Sequence, residues 1–173
     1  METEKKGIFP VKLDFNKTKQ KWDKKPATNG KSWIDYQAGV DELSKHDNLG
    51  VVIPAGVIVF DLDITEGRTI ETLQDSIEEL LSCELEIEWD KALIQNTVSG
   101  GAHYAFSIEK TIEIKQRTNV GGSKGFDLRV SGKGWICTGL NYNSDASIYP
   151  DIITGLYSSE LVSLPDAAID FLK

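Results

Sequence analysis

Cysteine and histidine are scarce in this chain, and long apolar runs are missing. Cys83 and Cys137 stand far apart with no further cysteine and no clustered histidine near them. That spacing supports neither a disulfide framework nor a zinc site, so no zinc is expected and both thiols should be free and buried. The two histidines are His46, in a polar Lys-His-Asp-Asn stretch without the character of a site, and His103. No segment approaches the ~20 apolar residues of a membrane span. The N-terminus, Met1-Glu-Thr-Glu-Lys-Lys6, has no apolar stretch of the signal-peptide kind. No membrane partner and a cytoplasmic location are therefore expected. Internal repeats and low-complexity tracts are absent too. What remains, 173 residues at 40% hydrophobic and 27% charged, is the composition of one globular domain spanning 1–173.

Positive charge is in short supply, at a net −8, which argues against a broadly basic nucleic-acid-binding surface. Its distribution is uneven: residues 1–31 hold nine lysines against four acids, a local balance of +5, leaving −13 for the rest. Lys17, Lys19, Lys21, Lys24 and Lys25 with Trp22 make a basic, aromatic-bearing segment suited to touch a polyanion, or else a solvated lysine-rich loop. The acids from Glu71 to Asp90 gather on or just past one predicted helix, whose face should point away from DNA.

Apolar spacing predicts helices at 32–38, 40–45, 68–81 and 166–172, the third being set by Ile70, Leu73, Ile77, Leu80 and Leu81. Strands are predicted near 49–53, 56–63, 92–98, 103–108, 126–130 and 135–138. This order gives an α+β fold, with a split βαβ-like, mostly antiparallel sheet of the RNA-recognition-motif (RRM-like) type and flanking helices.

The chemistry concentrates where the apolar run Gly56-Val-Ile-Val-Phe60 ends in Asp61-Leu62-Asp63. Residues i and i+2 of a strand share a face. Two like charges side by side on a buried strand repel, and a hard divalent cation such as Mg²⁺ or Mn²⁺ relieves that repulsion. A solvated acidic turn is the plain alternative. Downstream, Thr97-Val-Ser-Gly-Gly-Ala-His103 reads as a glycine-bearing turn between strands. Gly100 and Gly101 would let backbone N–H groups approach an anion, with Ser99 and His103 adding donors. An ordinary hairpin turn and an interior histidine would leave the same pattern. A third carboxylate follows in Gly125-Phe-Asp-Leu-Arg-Val130, where Asp127 and Arg129 share one face. Three acids, one imidazole and one guanidinium can thus meet on adjacent strands.

The ordered set VIVFDLD, SGGAH and GFDLR resembles the three signatures of the bifunctional DNA primase/polymerase (prim-pol) domain of the archaeo-eukaryotic primase superfamily. Gly7-Ile-Phe-Pro10, Lys25-Pro26 and Lys31-Ser-Trp33 are similar to landmarks that precede the first acidic motif in that family, and Gly132-Lys-Gly-Trp-Ile-Cys-Thr138 to the turn and strand that follow the last. The resemblance covers about 7–150. Two residues separate Ser99-Gly100 from His103, which places the serine contact less firmly than the histidine. Phe60-Asp-Leu-Asp-Ile-Thr65 also satisfies the Asp-x-Asp-x-Thr signature of haloacid-dehalogenase-type phosphatases, with Asp61 as nucleophile. The later metal and lysine motifs of those enzymes are missing, and a phosphatase has no need of SGGAH or FDLR.

The resemblance implies a metal-dependent nucleotidyltransferase, a DNA primase/polymerase of a virus, plasmid or integrated mobile element. It also implies a small N-terminal α/β module closing a cleft over the sheet. Asp61, Asp63 and Asp127 would hold two Mg²⁺ or Mn²⁺ ions. Ser99, Gly100, Gly101 and His103 would bind the incoming nucleoside triphosphate, with Lys25 and Lys31 as weaker candidates. Arg129 would neutralise a phosphate or else hold Asp127. The implied partners are nucleoside triphosphates, a single-stranded or primed DNA template, and a replicative helicase or template-binding domain on another chain. A non-catalytic nucleic-acid-binding relic is the third alternative, and the intact acids count against it.

Overall fold

The structure, a computed structural model, describes residues 5–19, 21–38, 40–65, 67–81, 87–139, 155–158 and 160–173. Its centre is strand β6 (Val57–Leu62), a β-branched and aromatic run buried along its whole length. Two antiparallel partners flank it, β8 (Ala102–Ser107) and β9 (Phe126–Val130), and β7 (Leu93–Asn96) completes a sheet of order β7-β8-β6-β9. Alternation divides the strand between two cores. Ile58, Phe60 and Leu62 face α2 (Ile70–Leu81) and α3 (Asp166–Leu172), meeting Leu73, Ile77, Ala168 and Leu172. Val57 and Val59 face the other way, into a cluster with Phe9, Val51, Ile53 and Ile136. Each such buried side chain contributes roughly 1.5–3 kcal/mol.

That second cluster belongs to another antiparallel sheet, of order β10-β5-β2-β3. Its strands are β2 (Ile8–Asn16), β3 (Lys21–Pro26), β5 (Asn48–Val52) and β10 (Trp135–Gly139). A two-residue pair, β1 (Lys5–Lys6) with β4 (Gln37–Ala38), and the four-residue helix α1 (Val40–Leu43) lie beside it. The fold is α+β and mostly antiparallel. The N-terminal residues form a sheet more than an α/β module, and its edge strand β10 comes from the far end of the chain. Among the described residues no helix is long and apolar enough to cross a membrane.

Two expectations change. Residues 32–38 do not form a helix: Tyr36 spends its carbonyl on the Gly7 N–H and its hydroxyl on Glu42, and the chain continues into β4. Strand pairing has outweighed local propensity. The lysine-rich segment is not a loop but a hairpin, with Leu13 opposite Lys24 and Asp14 opposite Asp23. Asn16 closes its turn, accepting the N–H groups of Thr18 and Lys19 at 3.1 Å and donating to Asp23 at 2.9 Å. Cys137 is a buried free thiol as expected, its pKa pushed up to about 12 by burial; Cys83, Glu84 and Glu86 lie outside the described residues.

Candidate active site

Strand register builds the site. Asp61 on β6 stands directly opposite His103 on β8 and Asp127 on β9, and His103 stands opposite Gln95 on β7. One row across four strands therefore reads Gln95, His103, Asp61, Asp127, all on the face that looks toward the second sheet. Arg129, two residues beyond Asp127, shares that face and reaches back over it. Its Nε and Nη2 donate to Asp61 Oδ2 at 3.0 and 2.8 Å, and Nη2 also donates to Asp127 Oδ2 at 3.0 Å. Arg129 thus holds two carboxylates, Asp61 as well as the Asp127 expected from the sequence.

The other oxygen of Asp61, Oδ1, lies 3.3 Å from His103 Nε2. Gln95 donates its amide N–H to the Cys137 carbonyl at 3.0 Å, which turns its Oε1 toward His103 Nδ1 at 2.8 Å. Nδ1 must then be a donor. Both ring nitrogens therefore face side-chain oxygens of the protein. Burial of Asp61, 7% exposed, would by itself raise its pKa. The charges and hydrogen bonds of His103 and Arg129 outweigh burial and hold the carboxyl well below the ordinary carboxylate range. His103, expected to contact a triphosphate, is 3% exposed and has both nitrogens engaged within the protein. Its place here is to hold Asp61.

Asp127 is fixed from a third side. Asn119, in the left-handed region at φ 49°, donates its backbone N–H to Asp127 Oδ1 at 2.9 Å, while its side-chain oxygen accepts the Gly125 N–H at 3.3 Å. The Gly125 carbonyl accepts the Asp63 N–H at 2.8 Å. One loop therefore ties Asp127 and Asp63 together. Asp63 is more exposed, at the end of β6. Partial burial and then the charge of Asp61 push its carboxyl upward, Asp127 adds to the rise, and Lys24 opposes it. Negative potential thus remains at Asp63 after Arg129 and His103 have compensated Asp61.

The glycine turn has a structural explanation. Gly100 donates its N–H to the Thr97 carbonyl, and a Cβ at Gly101 would sit 2.3 Å from the Leu62 carbonyl oxygen. A Cβ at Gly125, on the other flank, would sit 2.3 Å from the Asp63 carbonyl oxygen. Both glycines let the flanking chains approach the end of β6, a close approach of protein to protein where an anion was expected. Ser99 is exposed, its hydroxyl 3.3 Å from that of Thr97.

Asp61, His103 and Arg129 open into a cleft of about 320 Å³ between the two sheets, whose opposite wall carries Lys24 and Trp135 and whose edge carries Lys133. Lys25 and Lys31, named from the sequence, do not line it. On β3 it is Asp23 and Lys24, not Lys25, that line the cleft. Gln95, Asn119 and Lys133 were missed, and Lys24 was named only as one of the basic hairpin lysines. The reach of Gln95 to Cys137 depends on a pairing 42 residues distant.

Asp61, Asp63 and Asp127 supply hard oxygen donors of the kind that Mg²⁺ or Mn²⁺ takes. Arg129 already supplies positive charge to two of them, and among the described residues no group of three or more His, Cys, Asp or Glu stands ready to hold a metal ion. As a phosphatase nucleophile Asp61 is poorly placed: one oxygen faces His103, the other accepts two bonds from Arg129, and the group is buried. No family model, curated protein or solved structure matches this chain.

Proposed function

We propose that this chain is a DNA-directed nucleotidyltransferase with an RRM-like catalytic sheet, resembling the primase/polymerase domains that its motifs suggest. The observation that supports the reading best is the row of Asp61, His103 and Asp127 in direct register, with Asp63 one step beyond and a lysine-bearing cleft in front. Three carboxylates converge at one end of a central strand, and the nearest cleft cations, Arg129, Lys24 and Lys133, suit a polyphosphate.

In this reading Asp61, Asp63 and Asp127 are the residues that would hold Mg²⁺ or Mn²⁺, which when bound lowers the pKa of a primer hydroxyl and stabilises charge on the departing pyrophosphate. The chain's own residues do the rest. His103 and Gln95 keep Asp61 ionised and oriented from the β7 side. Arg129 offers a planar guanidinium both to the carboxylates and to a phosphate entering the cleft. Lys24, from the opposite sheet, and Lys133, from the β9–β10 turn, close the cation ring around the triphosphate.

The test is incubation of the full chain with labelled deoxynucleoside and ribonucleoside triphosphates, a primed template and Mg²⁺ or Mn²⁺. Transfer of label into the primer strand is the expected result. Release of inorganic phosphate from a phosphomonoester without strand extension would replace this reading with the phosphatase one.

A further inference from the structure

We infer that a second groove, beside the cleft, is the path of a single-stranded nucleic acid; on the function proposed above, which this inference rests on, the strand is the template. The groove has a volume of about 530 Å³ and lies between the 108–116 segment and the β9–β10 turn. Lys110, Lys115 and Lys133 stand exposed along it, over an apolar floor that includes Ile108, Ile112 and Ile114. Glu113 is the one acid on its lining, and Lys173, also there, pairs with Asp170 at 2.8 Å.

Three observations favour a polyanion. In a chain of net charge −8, these three lysines share one concavity, and none makes an ion pair with a described acid. Their mutual repulsion is relieved by a run of phosphates. Secondly, Gln116 and Lys133 line both the groove and the cleft, so a strand in the groove leads to the cleft that Asp61 and Arg129 line. Gln116 Oε1 is buried at this junction without a hydrogen-bond partner among the described residues. Thirdly, the half-buried isoleucines suit exposed base faces. A duplex keeps those faces stacked inside, whereas a single strand presents them. Among the described side chains of the β2–β3 hairpin, Lys12, Lys17, Lys19 and Lys25 line neither concavity.

The test is fluorescence anisotropy of a labelled single-stranded oligodeoxythymidylate with the full chain, over a salt series and without added nucleotide. Each phosphate contact on a single strand contributes about 0.7 to the slope of log affinity against log salt, so Lys110→Gln/Lys115→Gln should flatten it by about 1.4 and weaken binding several-fold. Lys17→Gln/Lys19→Gln, the same charge change on the other sheet's hairpin, should leave the slope in place. An unaltered slope in the groove variant, equal losses in both variants, tighter binding of duplex than of single strand, or no binding by the unmodified chain would each overturn the proposal. Primer extension on the same samples separates the two levels. Groove-dependent binding without nucleotide transfer refutes the function and leaves the groove, whereas transfer with unaltered binding by the groove variant refutes the groove alone.

Discussion

Replacing Arg129 with glutamine removes the one side chain that joins Asp61 to Asp127. Asp61 Oδ2 loses donors at 3.0 and 2.8 Å, and the side chains concerned are 10% exposed for Asp61, 16% for Asp127 and 25% for Arg129. Breaking a buried ion pair from one side costs ~3–5 kcal/mol, and the partial exposure of Arg129 together with the remaining His103 contact puts the expected loss near ~3 kcal/mol. In a chain of this size that corresponds to a fall of roughly 6–12 °C in Tm. The loss should depend on pH. The folded carboxyl of Asp61 is held below its ordinary value of 3.8, so its stabilisation is present at neutral pH and is lost as pH falls below about 4 toward the folded value. Without the guanidinium only His103 still opposes burial, so the folded pKa rises and the acid limb flattens. Urea unfolding of both proteins at pH 7 and at pH 3 measures this: a wide gap at pH 7 that narrows in acid is expected. Equal stability at pH 7, or a gap that stays constant with pH, would refute the assignment of Arg129 as the counter-ion of a buried carboxylate.

Gly101→Ala and Gly125→Ala should each cost about 1–3 kcal/mol through overpacking against the Leu62 and Asp63 carbonyls, with Gly125→Ala the worse because its φ of 84° adds strain; Gly132→Ala, where φ is +80° but nothing lies within 4 Å, isolates the strain alone in urea unfolding. Gln95→Leu should destabilise by about 1–3 kcal/mol, because His103 Nδ1 and the Cys137 carbonyl lose their partner inside the fold, and thermal unfolding that matches the unmodified chain would remove Gln95 from the network. Mn²⁺ affinity, measured by titration calorimetry at falling pH from neutrality, should decline at a higher pH than an ordinary carboxylate would give, because the carboxyl of Asp63 is raised. Asp63→Asn should abolish that dependence, and a pH-independent affinity in the unmodified chain would count against Asp63 as a ligand.

The parts legible in the sequence were those fixed by local alternation. Val57 to Phe60 announced a strand buried on both faces, and the two-residue period then placed Asp127 and Arg129 on one side of β9. Helix α2 followed from Ile70, Leu73 and Ile77. What escaped depended on pairing between distant segments. Lysines masked the β2–β3 hairpin, because its charges are carried on an edge strand whose apolar partners lie in β2. Gln95 looked like an ordinary polar residue until β7 was set beside β8 and β10 was brought over it. His103 was identifiable as a site residue, but its direction was not: whether an imidazole faces a ligand or a neighbouring carboxylate is decided by register, and here Asp61 lies directly opposite.

The most direct test of the account is nucleotide incorporation by Asp63→Asn. Asp63 is exposed and lies outside the Arg129 and His103 hydrogen bonds, so the variant should unfold like the unmodified chain, yet lose a carboxylate at the point where the metal is proposed to sit. Primer extension with Mg²⁺ or Mn²⁺ should fall by ~10²-fold or more, on the scale of losing one group that stabilises transition-state charge. Extension by Asp63→Asn at the rate of the unmodified chain would contradict the claim that these carboxylates form a nucleotidyltransferase centre.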